Sequence, residues 1–569
     1  MTLPNADEIA HGERTVVFVT FESEFAPLGG LAAVMRILPR HMARLTEGRC
    51  LLIAPYFKHI VRCNPKKLQS IEPAGHTFHV PFGGTDHEVR LLRSVDEEGF
   101  TTYLLDADAF FNAPCDCGDP PSPAAPCNPY VNPGKPGQLL QDALFFSAAV
   151  PKALVALGKT DNVILHLQDW QTAAVALMVK QEPEIGASVC TLTMHNPYDT
   201  PLTDADLAQI SDRQLEGATM LEKMLPFLDL PICTVSKRFS TELVKDPLFV
   251  EIYAPHLQKI FAKQRLVGVD NGIFALQDFP DEAIEAARHG DYAPILELKT
   301  QRREALVKVL TAYQPAEAWG RLDDLETFKG PIFLMFGRDD PRQKGYDLAA
   351  AAIRRVARGR AKYIFTPIPG EEGVEGLQFL KRLAEERPGE VKVFPFRMAQ
   401  GYLELKRGSS YLLMPSLYEP FGGATEAYAV GTPVVARATG GLVEQVIPHA
   451  SRCWGTAVYN RYHALRALPT GFLFLEPRLP WDELVAGWQE IMECDYAPAY
   501  DRLEARSDIP LFEAMVEPAA LTLEDAIDLY DHDSKGYAQM IYRGFSLLKV
   551  FSWERTAQEY LQLYRTIWQ

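Results

Sequence analysis

Apolar positions in this chain follow two alternating rhythms. Short, nearly unbroken runs of β-branched and other apolar residues occur at 15–21, 50–54, 101–105, 162–167, 189–194, 232–235 and 266–269. A second series follows at 331–336, 362–365, 391–395, 411–414, 433–436 and 471–474. Continuous runs of this kind suit parallel strands covered on both faces. Between them the apolar residues recur at helical spacing. In the clearest case Leu31, Val34, Met35, Leu38, Met42 and Leu45 form one stripe, with Pro39 expected to kink the helix that carries it. Strands alternating with helices predict an α/β fold with right-handed crossovers.

The two series predict two Rossmann-like domains, residues 1–275 and 329–545. A polar, helix-patterned passage at 276–328 separates them, and an amphipathic closing helix at 546–569 has Ser552 as its expected N-cap. A Pro- and Cys-rich stretch at 106–136 reads as an irregular insertion. Residues 458–523 exceed a plain crossover and suggest an added helical element.

Unusual loop residues repeatedly follow the strands. Gly29 and Gly30 come after the first, Asp169 after the fourth, His195 after the fifth and Asn271 after the seventh. In the second series Arg338 and Lys344 follow the first strand, and Glu419 with Gly422, Gly423, Ala424 and Thr425 follows the fourth. Ligands of open parallel sheets bind beyond the carboxyl ends of the strands, so two such sheets facing one another would form a central cleft. The run Glu419-Pro420-Phe421-Gly422-Gly423 breaks a strand and reopens as a helix, which aims backbone amides at an anion. Amides for phosphate beside a carboxylate for hydroxyls suggest a sugar joined to a diphosphate.

Each residue also has a plainer reading. The Gly29–Gly30 pair is either simple turn chemistry or a place of close ligand approach. Asp169 could cap the helix that starts after it. His195 could be an inert core histidine, although the following Asn-Pro-Tyr favours a working role. Arg338 and Lys344 form either a diphosphate clamp or a solvated loop paired with Asp339 and Asp340. Glu426 suits the first turn of its helix for dipole reasons alone.

Composition narrows the partners. The chain has 569 residues, 47% apolar and 23% charged, with a net charge of −17. That balance argues against a nucleic-acid binder. No run of 18 apolar residues suggests a membrane span, and the polar segment 1–14 shows no secretory signal. Nine scattered cysteines fit a reduced, cytoplasmic setting. Cys115, Cys117 and Cys127 share one loop, and a metal reading would need a fourth ligand, which the nearby sequence lacks.

Taken together the motifs resemble the bacterial glycogen synthase and plant starch synthase family. Phe25-Ala26-Pro27-Leu28-Gly29-Gly30-Leu31 is similar to that family's Lys-Thr-Gly-Gly-Leu loop, and His166-Leu167-Gln168-Asp169-Trp170 to its His-x-His-Asp-Trp. His195-Asn196, Gly268-Val269-Asp270-Asn271-Gly272, Gly337-Arg338 with Gln343-Lys344-Gly345, the Glu419 loop, Gly431-Thr432-Pro433, Thr439-Gly440-Gly441 and Phe551-Ser552-Trp553-Glu554 follow in family order. The resemblance implies the GT-B architecture, whose closing helix crosses back to the first domain. It implies retaining transfer of glucose from ADP-glucose or UDP-glucose to the non-reducing end of an α-1,4-glucan, with no metal or other cofactor. Carried onto this chain, it implies catalytic roles for His195, Arg338, Lys344, Glu419 and Asp169. Donor contacts would fall to Gly29, Gly30, Asn271, Gly422, Gly423, Ala424 and Thr425.

Two departures stand out. The family's loop lysine is Pro27 here, and its later Asp is Ala33. Related transferases separate two Glu by seven residues, whereas Glu419 and Glu426 are separated by six. That difference swings the second acid by about 100° around its helix. A small sugar acceptor, or a non-catalytic glucan-binding relative, are the competing expectations.

Overall fold

The computed structural model describes residues 14–118, 122, 124–275, 277–370, 372–398, 400–450, 468–494 and 501–566. The N-terminal segment apart from Arg14 lies outside them, as do parts of the 106–136 insertion and of the 458–523 region. The chain divides into two compact units. The first comprises 1–244, 253–272 and 552–569, and the second 245–252 and 273–551.

Among the described residues the first unit holds a nine-stranded sheet. Its strands are β1 (Thr15–Val19), β2 (Cys50–Pro55), β3 (Glu72–Phe82), β4 (Thr85–Val95), β5 (Thr101–Asp106), β6 (Val163–Gln168), β7 (Ser188–Met194), β8 (Ile232–Thr234) and β9 (Leu266–Gly268). They are ordered β3-β4-β5-β2-β1-β6-β7-β8-β9. From β5 to β9 every pairing is parallel. Counted among the parallel strands alone, the order is 3-2-1-4-5-6-7, a doubly wound sheet that reverses direction between β1 and β6. Every residue of β1 and β6 is buried, as their unbroken apolar runs require.

The hairpin β3–β4 has no counterpart among the expected strands. It lies at the sheet edge with most of β3 exposed, so it carries no continuous apolar run. Its signal was instead the turn Gly83-Gly84, where both residues have positive φ, as a tight hairpin demands.

The helix Gly30–Leu45 buries Leu31, Val34, Met35, Leu38 and Met42 and runs through Pro39. The helix Gln138–Ala156 is long and apolar enough to span a membrane by length and composition, but 67% of its apolar window is packed inside this unit. Its Phe145 stacks on Phe110 at 3.7 Å. Phe110 and Phe111 are buried and begin the 106–136 segment, so the insertion is rooted in the core. The closing helix Trp553–Arg565 also belongs to the first unit, and Ser552 caps it by accepting from the Arg555 amide at 3.2 Å. Tyr564 and Thr193 hold the two ring nitrogens of buried His166 at 2.7 and 2.6 Å. Burial lowers the His166 pKa to about 3, so this imidazole is neutral.

The second unit is built on a seven-stranded sheet. It comprises β10 (Trp319–Leu322), β11 (Ile332–Arg338), β12 (Lys362–Ile368), β13 (Glu390–Val393), β14 (Tyr411–Met414), β15 (Val434–Arg437) and β16 (Phe472–Phe474), ordered β10-β13-β12-β11-β14-β15-β16. The six parallel strands follow the 3-2-1-4-5-6 Rossmann order, and direction reverses between β11 and β14. The edge strand β10 is antiparallel and falls within the stretch expected to be a purely helical passage. Leu306 and Leu310 of the helix Ala293–Ala312 pack into this unit's core with Ile332, Leu334 and Leu412. Lys299 of the same helix is buried with its ammonium fully satisfied. It donates to the carbonyls of Arg407 and Ser409 at 2.8 Å each and to Thr432 Oγ1 at 3.1 Å.

Candidate functional site

Each sheet has one place where neighbouring strands send their helices to opposite faces, leaving a crevice beyond the strand ends. In the first unit that place lies between β1 and β6, and in the second between β11 and β14.

At the first unit's tip the organising group is Glu22, two residues past Thr20 and buried. Its Oε1 accepts from the amides of Leu28 at 2.8 Å, Gly29 at 2.5 Å and Ala32 at 3.3 Å. Its Oε2 accepts from the Tyr130 hydroxyl at 2.9 Å. A carboxylate on the first amides of a helix satisfies orphan donors and suits the helix dipole. The Gly29 amide, expected to await a ligand phosphate, is therefore already bound by the protein's own acid. Gly30 lies exposed, with open space where a Cβ would sit. Sequence reasoning passed over Glu22. The available signal was an acid ending an apolar strand seven residues before a Gly-Gly helix start.

Asp169 follows β6 at φ +55°, ψ 179°, a region that is essentially glycine territory. The expected helix cap is absent; its side chain makes no capping bond. Instead Oδ1 accepts from the His195 amide at 2.6 Å and the carboxylate also takes the Asn196 amide, tying the end of β6 to the end of β7. Burial, with Glu22's charge adding to it, lifts the Asp169 pKa to about 7 against the pull of those two amides. His195 is buried, and its Nε2 meets Gln168 Oε1 at 2.8 Å. The Gln168 amide group donates to the His166 carbonyl at 3.1 Å, which fixes Oε1 as the acceptor facing His195. His195 thus carries its proton on Nε2 and leaves Nδ1 as an acceptor; burial holds its pKa near 3, so the ring stays neutral.

Asn271 is not brought to this tip. It follows β9, three strand spacings from β6, or roughly 14 Å. Its amide donates to the Val235 carbonyl at 3.3 Å and the residue is buried. A cavity of about 610 Å³ in this unit is lined by Glu24, Arg36, Arg40, Lys67, Asp96 and Phe100 among others. It contains none of the expected site residues. Its charges largely compensate one another: Arg40 pairs with Glu24 at 2.7 Å and with Asp96 at 2.5 Å, and Lys67 pairs with Glu24.

The second unit's tip carries two cations, Lys344 and Arg338, each beside an acid. Lys344 Nζ lies 2.8 Å from Glu419 Oε2, which also accepts from Ser416 Oγ at 3.0 Å. This pair bridges the loops after β11 and β14, so two residues 75 positions apart meet at the crevice. Glu419 Oε1 has no hydrogen-bond partner among the described residues. Arg338 ends β11 with 56% of its side chain exposed and reaches Asp340 only at 3.9 Å. Local neutralisation by Asp339 fails for a specific reason: Asp339 is buried in a two-pronged ion pair with Arg502, at 2.8 and 3.1 Å. Asp347 pairs likewise with buried Arg506 at 2.6 Å. Gly345 sits at φ +68°, and a Cβ there would strike the Pro415 carbonyl, so only glycine lets the two loops close together.

The row of amides expected at Gly422, Gly423, Ala424 and Thr425 is interrupted. The Ala424 amide is bound by Gln445 Oε1 at 3.0 Å, and Gln445 Nε2 returns to the Phe421 carbonyl at 2.6 Å. The buried Thr425 hydroxyl has no hydrogen-bond partner among the described residues. Glu426 turns away from Glu419 and pairs with Lys406 at 3.0 Å, as its one-residue offset predicts.

Residues 15–248 match the family model for the starch synthase catalytic domain, and 297–457 match that for family 4 glycosyltransferases in conflict systems. The chain is 24% identical to a glycogen synthase of Thermosipho africanus, over 83% of this chain and 94% of that one. It is 23% identical to one of Lactococcus lactis, over 97% of this chain and 100% of the other. Among solved structures it is similar to the catalytic domain of starch synthase IV from Arabidopsis thaliana bound to ADP and acarbose. That match has a TM-score of 0.65 and 17% identity, covering 98% of this chain and 100% of the other. It is also similar to a sucrose-phosphate synthase of Thermosynechococcus elongatus, with a TM-score of 0.50 and 16% identity over 98% and 99% of the two chains.

Proposed function

This chain belongs to the glycogen synthase and starch synthase family of glycosyltransferases, and from that premise we propose that it transfers glucose from a nucleotide-glucose, ADP-glucose foremost, to the non-reducing end of an α-1,4-glucan. The observation that carries the reading is the Lys344–Glu419 pair at the β11/β14 switch point, beside exposed Arg338. Lys344 and Arg338 supply positive charge where a pyrophosphate leaves, and the open oxygen of Glu419 accepts from a sugar hydroxyl. Glu419, itself held by Ser416, fixes the lysine in advance, so little reorganisation is needed as charge develops on the departing phosphate.

In the transfer itself, the bond from the sugar C1 to the phosphate oxygen breaks as the acceptor hydroxyl bonds to C1. The acceptor's proton passes to the departing phosphate. The family implies that attack and departure share one face of the ring, which retains configuration. Neutral His195 offers Nδ1 as an acceptor for a sugar hydroxyl, and Asp169 holds the His195 backbone in place. Neither acts as a cation, so the first unit's tip is suited to hydroxyls and the second's to phosphates.

Pro27, where the family has lysine, favours a second reading, a non-catalytic glucan-binding relative. Both readings are tested by one assay: nucleotide release from ADP-, UDP- and GDP-glucose, with and without glycogen, together with product chain length. Glycogen-dependent release with lengthened chains is the expected result. Release onto a small sugar alone, or none with any donor, contradicts the proposal.

A further inference from the structure

Four of the nine cysteines converge in the first unit. Cys63 and Cys117 are bonded, as are Cys115 and Cys127. The two pairs do not stand apart: the Cys63 and Cys115 sulfurs, which are not bonded to one another, lie 3.2 Å apart. The sulfurs of Cys63, Cys115 and Cys127 all fall within 4.8 Å of one another, and Cys117 is attached to the first. The loop reading Cys115-Asp116-Cys117 lacked a fourth ligand only in sequence. The fold supplies it from Cys63, 52 residues upstream of Cys115, just past the helix Lys58–Val61.

We propose that these four cysteines form a structural zinc site that pins the 106–136 insertion to the body of the first unit. Two independent disulfides have no need to touch, whereas a single ion requires all four sulfurs to surround one point. Tetrahedral zinc, about 2.3 Å from each thiolate, spaces its sulfurs about 3.8 Å apart, the scale of this cluster. Four thiolates around a divalent cation leave a net negative charge. Arg62 is close by, its guanidinium donating to the Cys115 carbonyl at 3.4 Å. The base of the loop is closed by backbone pairing, with the Asp116 amide donating to the Ala125 carbonyl at 2.8 Å and a bridge between Cys115 and Pro126. Of the other described cysteines, Cys50, Cys190 and Cys233 are buried and in no disulfide.

The bonded pairs and the ion site are two uses of the same sulfurs. In passing from one to the other, each disulfide takes two electrons and two protons from a thiol reductant, which is oxidised to its own disulfide. Zinc then replaces the four thiol protons, which go to solvent. The site lies three residues before Tyr130, whose hydroxyl holds Glu22 beneath the Gly29–Gly30 turn. A firm anchor at Cys127 therefore fixes the segment that completes the β1/β6 tip.

The test uses the full chain, purified with a thiol reductant and without chelator. Elemental analysis is expected to find one zinc per chain. Exchange with cobalt is expected to give the strong visible absorption of tetrahedral thiolate coordination. The double variant Cys115→Ser, Cys127→Ser is expected to lose both signals. The cobalt spectrum is read on the native chain, so the outcome does not depend on that variant folding. Substoichiometric zinc with no cobalt thiolate bands in the reduced native chain overturns the proposal. So does recovery of both disulfides from cells in which thiols were trapped before lysis.

Discussion

The two switch points share one topology and differ in what fills them. At β1/β6 the protein has already answered its own helix amides with Glu22, and the nearby titratable groups, Asp169 and His195, are neutral or anionic. At β11/β14 two neighbouring acids are withdrawn into buried pairs, Asp339 with Arg502 and Asp347 with Arg506, while Glu419 and Asp340 stay beside the cations. Lys344 and Arg338 are left at the tip, one fixed and one exposed. On the proposed reading, the same fold presents a hydroxyl-binding face in one unit and a phosphate-binding face in the other. The choice rests on where the protein places its own counter-charges.

The largest effect tests that withdrawal. Arg502→Ala leaves Asp339 buried without its partner, which costs about 3–5 kcal/mol. Urea unfolding of the variant should report a loss of that size, and a loss below about 1 kcal/mol would mean that Asp339 is not held as described. Next, Lys344→Ala should lower turnover about 100-fold, the typical penalty for removing one group aimed at developing charge. Initial rates of nucleotide release check this, and an unchanged rate removes the clamp from the account.

The first unit responds differently. Glu22→Ala strips the acceptor from the Leu28 and Gly29 amides and should reduce stability by about 1.5–3 kcal/mol, measured by the same unfolding experiment. The last expectation concerns pH. The Asp169 pKa rises from 3.8 to about 7 on folding, so the folded chain holds a proton that the unfolded chain releases. Its contribution to stability is therefore most favourable at low pH and declines as pH rises through that window. Asp169→Asn should cancel the decline. The melting-temperature advantage of the native chain over the variant should shrink between pH 5 and pH 8, and parallel curves would contradict it.

Much of this was legible in the chain, for physical reasons. Parallel strands buried on both faces write themselves as apolar runs, which made both sheets and their strand-end loops readable. The exposed hairpin β3–β4 and the edge strand β10 lack such runs and were missed. Lys344 and Glu419 could be named from their loops, but their contact depends on β11 and β14 lying side by side, which only tertiary pairing provides. Glu22 was passed over because its Oε1 partners are backbone amides, which leave no trace in side-chain sequence beyond an acid ahead of a Gly-Gly helix start. Asn271 was chosen from its strand-end place and motif order, but its strand lies at the far edge of the sheet. The cysteine insertion was read as irregular because its fourth sulfur comes from a distant helix end.

The central claim, that the second tip and not the first holds the pyrophosphate, is tested most directly by titrating ADP calorimetrically into the native chain, Lys344→Ala and Glu22→Ala. A charge-assisted contact to phosphate is worth about 1.5–3 kcal/mol, so Lys344→Ala should weaken binding by roughly 10- to 150-fold. Glu22→Ala should stay within about twofold of the native affinity. Equal affinity for Lys344→Ala and the native chain, or a large loss confined to Glu22→Ala, would contradict the account.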